Sequence, residues 1–183
     1  MVTGDRPLGD VRAALAAVLD PEIRVVTIAD LGILRDVRLC DGRLTVTVTP
    51  TYSGCPAMDV IRAEIRRVAR IAGYGDARVV TVLAPPWTTD WITEAGRGKL
   101  AAAGIAPPPP AGPPPAASGA PAAPAAPAAS GAPGRAVAVT VSVRCPHCGS
   151  PSTEQLSRFS STACKALWRC RECAEPFHAI KAL

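Results

Sequence analysis

The sequence predicts an α+β chain in two folded parts. A small α-β-β-α-β domain with an antiparallel hairpin comes first, then a short cysteine-rich β domain, with a disordered tether between them. Three observations carry this. Residues 1–105 alternate between helical and strand periodicity. Residues 106–134 contain only Ala, Pro, Gly and Ser, and residues 135–183 hold two Cys-x-x-Cys turns.

The tether comes first because it divides the chain. Its 29 positions offer no side chain able to bury enough apolar surface to offset chain entropy. Its prolines favour an extended, semi-rigid spacer of at most ~3.1 Å per residue. Linker alanine therefore inflates the 48% hydrophobic content, which is not a measure of core. The net charge of +5 concentrates in residues 135–183, with 7 Lys+Arg against 3 Asp+Glu. That excess forms no basic run, so nucleic acid is not expected as a partner. No apolar stretch approaches the ~20 residues of a membrane span. The opening MVTGDRPLGDV lacks the order of a signal peptide. A cytoplasmic chain follows, with its seven cysteines as thiols or ligands rather than disulfides.

In the first domain, LGDVRAALAAVL places Leu8, Val11, Leu15 and Val18/Leu19 on one helical face. Asp20-Pro21-Glu22 stops that helix, since Pro21 disfavours helical geometry at Asp20. ILRDVRLC and RLTVTVTP flank Asp41-Gly42, a strong hairpin signal. A second helix carries Met58, Ile61, Ile65, Val68 and Ile71/Ala72 as its apolar stripe and ends at Gly73 and Gly75. ARVVTVLA reads as a third strand and residues 93–104 as one more helix. The strands are expected to be antiparallel, packing one face on the helices. Cys40 reads as a small packed residue, Thr45/Thr47/Thr49 as a sheet face, and Arg62/Arg66/Arg67/Arg70 as a solvated helix face.

Cys55 stands in TYSGCPAM, where the second strand hands over to the second helix. Pro56 suits the first helical position, because its missing N–H would be unpaired there anyway. Cys55 is then the N-cap, beside free backbone N–H groups and the positive end of the helix dipole. Those stabilise a thiolate, titrating below the ~8.5 of free cysteine. A buried, gap-filling cysteine is the competing reading.

Three blocks, Asp20-Pro21-Glu22-Ile23, Ile28-Ala29-Asp30-Leu31-Gly32-Ile33 and Thr51-Tyr52-Ser53-Gly54-Cys55-Pro56, resemble the iron–sulfur assembly domain of SufT-like proteins. The resemblance spans most of residues 10–85. It implies an accessory role in maturing or delivering iron–sulfur clusters, with Cys55 as the key thiol and transient holder of iron or cluster. Asp20 and Glu22 would be its neighbours. For Glu22 a solvated turn is the preferred reading, and Asp30-Leu31-Gly32 also reads as a turn opening the hairpin.

The tail contains Cys145-Pro-His-Cys148 and Cys170-Arg-Glu-Cys173. Each turn brings two thiolates to one metal, and the intervening hairpin brings the turns together. With strands read in AVAVTVSVR and EPFHAIKA, the architecture is a zinc ribbon. Phe159, Leu167, Trp168 and Phe177 are its main apolar bulk, so metal would supply much of its folding free energy, ~10–16 kcal/mol. A closed four-thiolate site favours a structural zinc, with rubredoxin-like iron left open. Cys164 is a fifth thiol. It reads as a buried spacer by default, with a substitute ligand or a reactive group as the other roles. His147 is expected to be exposed and His178 to lie at the surface.

The tail CPHCGSPSTEQLSRFSSTACKALWRCRECAEPF resembles that of the PaaD family, accessory subunits of bacterial phenylacetyl-CoA epoxidase. Ser161 to Leu167 and Cys173-x-Glu175-Pro176-Phe177 carry the likeness, and the first domain fits the same family. The tether is unusually long for it, and HAIKAL lacks the family's terminal cysteine, so no ligand is expected there. The resemblance implies a non-oxygenating subunit that supports cluster or metal assembly for the multicomponent oxygenase. Its partners would be the other oxygenase components and iron–sulfur proteins, with a homodimer left open. No repeated Glu-x-x-His pattern of a di-iron oxygenase is present, nor a Gly-rich dinucleotide fingerprint. The alternative is a non-catalytic interaction module whose ribbon docks a partner and whose Cys55 is structural.

Overall fold

A computed structural model describes residues 7–108 and 143–181. The tether from 109 to 134, and AVAVTVSVR up to Ser142, lie outside the described residues. Helix α1 (Leu8–Ala16) buries Val11 and Leu15 completely. It ends at Ala16, five residues before Pro21. The chain then folds back on itself: Leu19 bridges Thr27, and the Asp20 N–H donates to the Val26 carbonyl at 3.0 Å. Leu19 consequently leaves the apolar face and is 54% exposed.

Strands β1 (Leu34–Cys40) and β2 (Arg43–Val48) pair antiparallel through the expected hairpin. Asp41 and Gly42 take φ of 51° and 76°. Both values are positive, as the twist-matched two-residue turn requires. Helix α2 (Ala57–Ile71) buries Met58, Ile61, Ile65 and Ala69, while Ile71 points outward. Strand β3 (Arg78–Thr81) joins β2 in parallel, Val46 opposite Val79. The expectation of an all-antiparallel sheet is corrected here. Helix α2 carries the chain back along its own length, so the next strand re-enters in the direction of β2. Cys40 is a second correction: it is exposed, because the strand outruns its helix cover at the hairpin end.

Asp30-Leu31-Gly32 does more than open the hairpin. The Asp30 carboxylate accepts the Thr27 N–H at 2.9 Å and pairs with Lys99 of α3 (Glu94–Ala102) at 2.6 Å. Trp87 Nε1 donates to the Leu31 carbonyl at 2.8 Å. Gly32 sits at φ +68°, where a Cβ would come within 2.6 Å of the Trp91 carbonyl oxygen. This loop is thereby clamped between the first sheet and α3.

Immediately after α3, Ile105–Ala106 forms β4, parallel to β7 (Pro176–Ile180). Composition assigns Ala106 to the tether, but it is buried in the ribbon's core with Cys145, Cys170 and Phe177. The second sheet runs β4-β7-β6-β5, with β5 at Thr153–Ser157 and β6 at Lys165–Cys170. Val143 and Arg144 stand outside any strand. Ile180 belongs to the hydrophobic core of the first domain, and Cys164 packs against it. The two folded parts therefore share a core at their contact.

Candidate functional site

Two sites emerge, one inside the ribbon and one where the ribbon meets the first domain. In the ribbon, the sulfurs of Cys145, Cys148, Cys170 and Cys173 all lie within 4.8 Å of one another. Cys145 and Cys173 sulfurs are 3.8 Å apart, and those of Cys148 and Cys170 are 3.5 Å apart. A tetrahedral zinc with bonds of ~2.3 Å needs sulfurs about 3.8 Å apart, so the set fits. The β5–β6–β7 ladder brings the turns together, and each turn supplies one buried and one exposed cysteine.

The four sulfurs strongly influence one another's charge. Backbone N–H groups of Cys173 and Glu172 hold the Cys170 thiol down at about 7. Cys173, although it accepts the Glu175 N–H, is pushed up to about 12 by desolvation and the three neighbouring sulfurs. Such a set carries all its negative charge only around a cation. His147 is exposed, as expected; His178 is half-buried on β7, its Nδ1 2.5 Å from Ser160 Oγ.

The second site is built from the α1–β1 loop, the β2–α2 turn and the β5–β6 loop. Asp20 is 5% exposed and braces the first of these: its Oδ1 accepts the N–H groups of Glu22 at 2.9 Å and Ile23 at 2.7 Å. Burial pushes its carboxyl up, against those two hydrogen bonds. Glu22 lines a narrow, mostly apolar cavity of about 20 Å³, together with Asp20, Cys55, Trp87, Cys164 and Ile180. Glu22 keeps the half-exposed turn position read for it and in addition lines this cavity.

Cys55 lies on the same cavity, half-buried. Pro56 takes helical dihedrals, φ −68° and ψ −22°, and the Ala57 and Met58 N–H groups reach the Cys55 sulfur. The capping geometry expected from Cys55-Pro56 is present. Its expected electrostatic consequence is not. Desolvation outweighs those N–H groups, and Glu22 and Asp20 add repulsion, so the Cys55 thiol is pushed up from its ordinary value. Burial reverses the sign of the helix-terminus effect, reinforced by two acidic neighbours that sequence separates from Cys55 by over thirty residues.

Cys164 was the residue whose role the sequence left open, and the structure brings it to this site. Its sulfur lies 3.6 Å from Glu22 Oε2 and 3.1 Å from Thr162 Oγ1. Lys181 fixes the loop that presents it, donating through Nζ to the Ala163 carbonyl at 2.7 Å and through its backbone N–H to Cys164. Burial also pushes the Cys164 thiol up. Tyr52, three residues before Cys55, stands near the group: burial first, then the neighbouring Cys55 and Glu22, push its hydroxyl up. Only the thiol of Cys164 was available in the sequence as a hint, and nothing local says which carboxylate it meets.

Comparisons with known proteins identify the two domain types. Residues 129–181 match the PaaD zinc beta ribbon domain, and residues 9–83 match an iron–sulfur cluster assembly protein domain. A protein of Escherichia coli (strain K12), provisionally named as one of the subunits of 1,2-phenylacetyl-CoA epoxidase, is 40% identical over 95% of this chain and 92% of its own length. The chain belongs to the PaaD family. Within it, the first domain is also similar to an Fe-S protein maturation auxiliary factor of Porphyromonas gingivalis, 36% identical over 46% of this chain and 82% of that protein. A solved domain of unknown function from Bacillus anthracis is 28% identical, with a TM-score of 0.47, and covers 51% of this chain and 90% of that one. Both of this PaaD-family chain's domain types are thus present, and its four-cysteine cluster fits metal binding. Among the described residues no helix is long and apolar enough to cross a membrane.

Proposed function

We propose that this protein is a cytoplasmic accessory subunit of the multicomponent 1,2-phenylacetyl-CoA epoxidase of aerobic phenylacetate catabolism. It assists iron or iron–sulfur assembly in that complex and does not oxygenate the substrate itself. The observation that carries this is Cys55: a thiol on a cavity walled by two carboxylates and an aromatic, in a domain similar to maturation factors. Its carboxylate neighbours suit a borderline metal ion such as iron(II). Zinc is the proposed ion of the ribbon, held by Cys145, Cys148, Cys170 and Cys173. With four protein ligands its role is structural, and it holds the β5–β6 loop at the first domain.

The test is to express the oxygenase components with and without this chain and measure iron and sulfide in each. Deficient metal in one component only when the chain is missing supports assembly. Equal iron and sulfide in both preparations would remove the proposal.

A second reading is favoured by one observation. Burial keeps the Cys55 thiol protonated, as expected of a packing residue in a non-catalytic interaction module. Under that reading the ribbon docks a partner, and Cys55→Ser leaves oxygenase metal content unchanged.

A further inference from the structure

We propose that helix α2 is an interface with a second copy of this chain, the two helices crossing antiparallel about a two-fold axis between Ile65 and Arg66. This goes beyond the assembly function and does not depend on it. One face of α2 is buried through Met58, Ile61, Ile65 and Ala69, and a helix so packed ordinarily turns polar residues to water. Val60 and Ile71 break that pattern, at 57% and 62% exposed. Exposed apolar residues that stand singly need no explanation. The register of these two does. Val60, Glu64, Arg67 and Ile71 follow one another at spacings of four, three and four residues. That spacing sets them in one row along the helix and is the seam of a two-helix packing.

The row is self-complementary. Val60 and Ile71 stand equally far from the midpoint between Ile65 and Arg66, and so do Glu64 and Arg67. A two-fold interface brings the same surface of each copy together. With the helices antiparallel, Val60 meets Ile71 of the second copy, and Glu64 meets Arg67 of the second copy. Charge selects this direction, because parallel helices would set Glu64 against Glu64 and Arg67 against Arg67. Within one chain Arg67 already grips Glu64, donating from Nε to Oε2 at 2.8 Å and from Nη2 to Oε1 at 2.6 Å. Both side chains stay partly exposed, so each can share its charge with the second copy. Beside the row, a groove of about 610 Å³ runs between α1 and α2, with Ala14, Ala17 and Leu19 on its α1 side. The small alanines leave room for the second helix, and exposed Leu19 offers it further apolar contact. The row is only ~16 Å long. An interface of one helix and one groove belongs to the small class, below about 1,200 Å², so the dimer should be reversible, with a Kd of about 1–100 μM.

Sedimentation velocity of the full-length protein tests this, in reductant so that no disulfide joins two copies. The parent should pass from monomer to dimer as its concentration rises through that range. Ile71→Ser, Glu64→Arg and Arg67→Glu should each weaken dimerisation roughly tenfold or more, the last two by gathering four like charges at the axis. Unchanged circular dichroism establishes that each variant folds, as substitution at these partly exposed positions allows. Both charge reversals in one chain should restore the dimer, because the row is then self-complementary again. Mixing the two single charge-reversal proteins should give a one-to-one heterodimer, although neither pairs with itself. A parent that stays monomeric throughout would overturn the proposal and leave this face to a different protein. Dimerisation undiminished by Ile71→Ser and by both single reversals would overturn it too, by placing the interface elsewhere. So would failure of the mixed pair to associate. None of these outcomes touches the assembly function, which the iron and sulfide measurement decides separately.

Discussion

The sulfur of Cys164 lies 3.6 Å from the carboxylate of Glu22, across 142 positions of sequence. One group belongs to a loop of the ribbon and the other to the first connection of the α+β domain. Their meeting makes the ribbon a wall of the Cys55 cavity. It also means that the structural metal and the candidate functional thiol are mechanically linked, since the β5–β6 loop hangs from the cysteine-bearing hairpin.

Metal removal should therefore reach beyond the ribbon. One tightly bound ion per chain is expected at Cys145, Cys148, Cys170 and Cys173, and its binding free energy, ~10–16 kcal/mol for structural zinc, is folding free energy. A strong chelator should unfold the ribbon while helices α1 and α2 persist. Amide exchange should then rise at Lys165–Cys170 and Pro176–Ile180, and alkylation of Cys164 should accelerate. A ribbon that keeps its protection in chelator would show that metal does not hold it.

Cys55 should behave as a masked thiol. Its alkylation at neutral pH should be slower than that of exposed Cys40, because burial and two carboxylates raise its titration. The folded value lies above the unfolded one, so the stability linked to Cys55 is present below the unfolded pKa. It is lost as pH rises through the folded pKa. Cys55→Ser should fold with little loss and abolish oxygenase loading, whereas Cys55→Ala removes the cap as well and costs about 1 kcal/mol. Faster alkylation of Cys55 than of Cys40 would contradict the burial.

Asp20 separates charge from hydrogen bonding. Its folded pKa is raised by burial, so stability linked to its proton is complete below the unfolded value and falls as pH rises through the folded one. Asp20→Asn keeps an oxygen for the Glu22 and Ile23 N–H groups and removes the buried charge. Its melting temperature should exceed the parent's at pH 7 and match it near pH 3. Asp20→Ala strands two N–H groups and should cost about 1–3 kcal/mol at either pH.

Gly32→Ala should damage the cavity without touching a ligand. A Cβ there meets Trp91 backbone and Cβ atoms at 2.5 to 3.0 Å, on a left-handed backbone. Neither can yield cheaply, because Leu31 and Ile33 on either side are core residues. A loss toward the upper end of the roughly 0.5–3 kcal/mol range of point mutants is expected in denaturant melts. A loss below about 0.5 kcal/mol would mean that the loop relaxes freely.

Local patterns were legible in the sequence because short-range chemistry dictates them. Asp41-Gly42 needs positive φ at both positions, the α2 stripe needs its 3.6-residue repeat, and each Cys-x-x-Cys turn needs only its own four residues. Three long-range outcomes were not legible. The direction of β3 depends on how α2 packs across the sheet, and the burial of Ala106 depends on a strand seventy residues later. The titration of Cys55 depends first on burial, which outweighs the helix terminus that local sequence displays, with Glu22 and Asp20 pushing the same way. Cys164 is the plainest case. Its sequence neighbours specify a loop, and only the packing of Ile180 into the first domain's core turns that loop toward Glu22. Electrostatics and desolvation act through space, so a site assembled from three segments exists only once tertiary packing has set their distances.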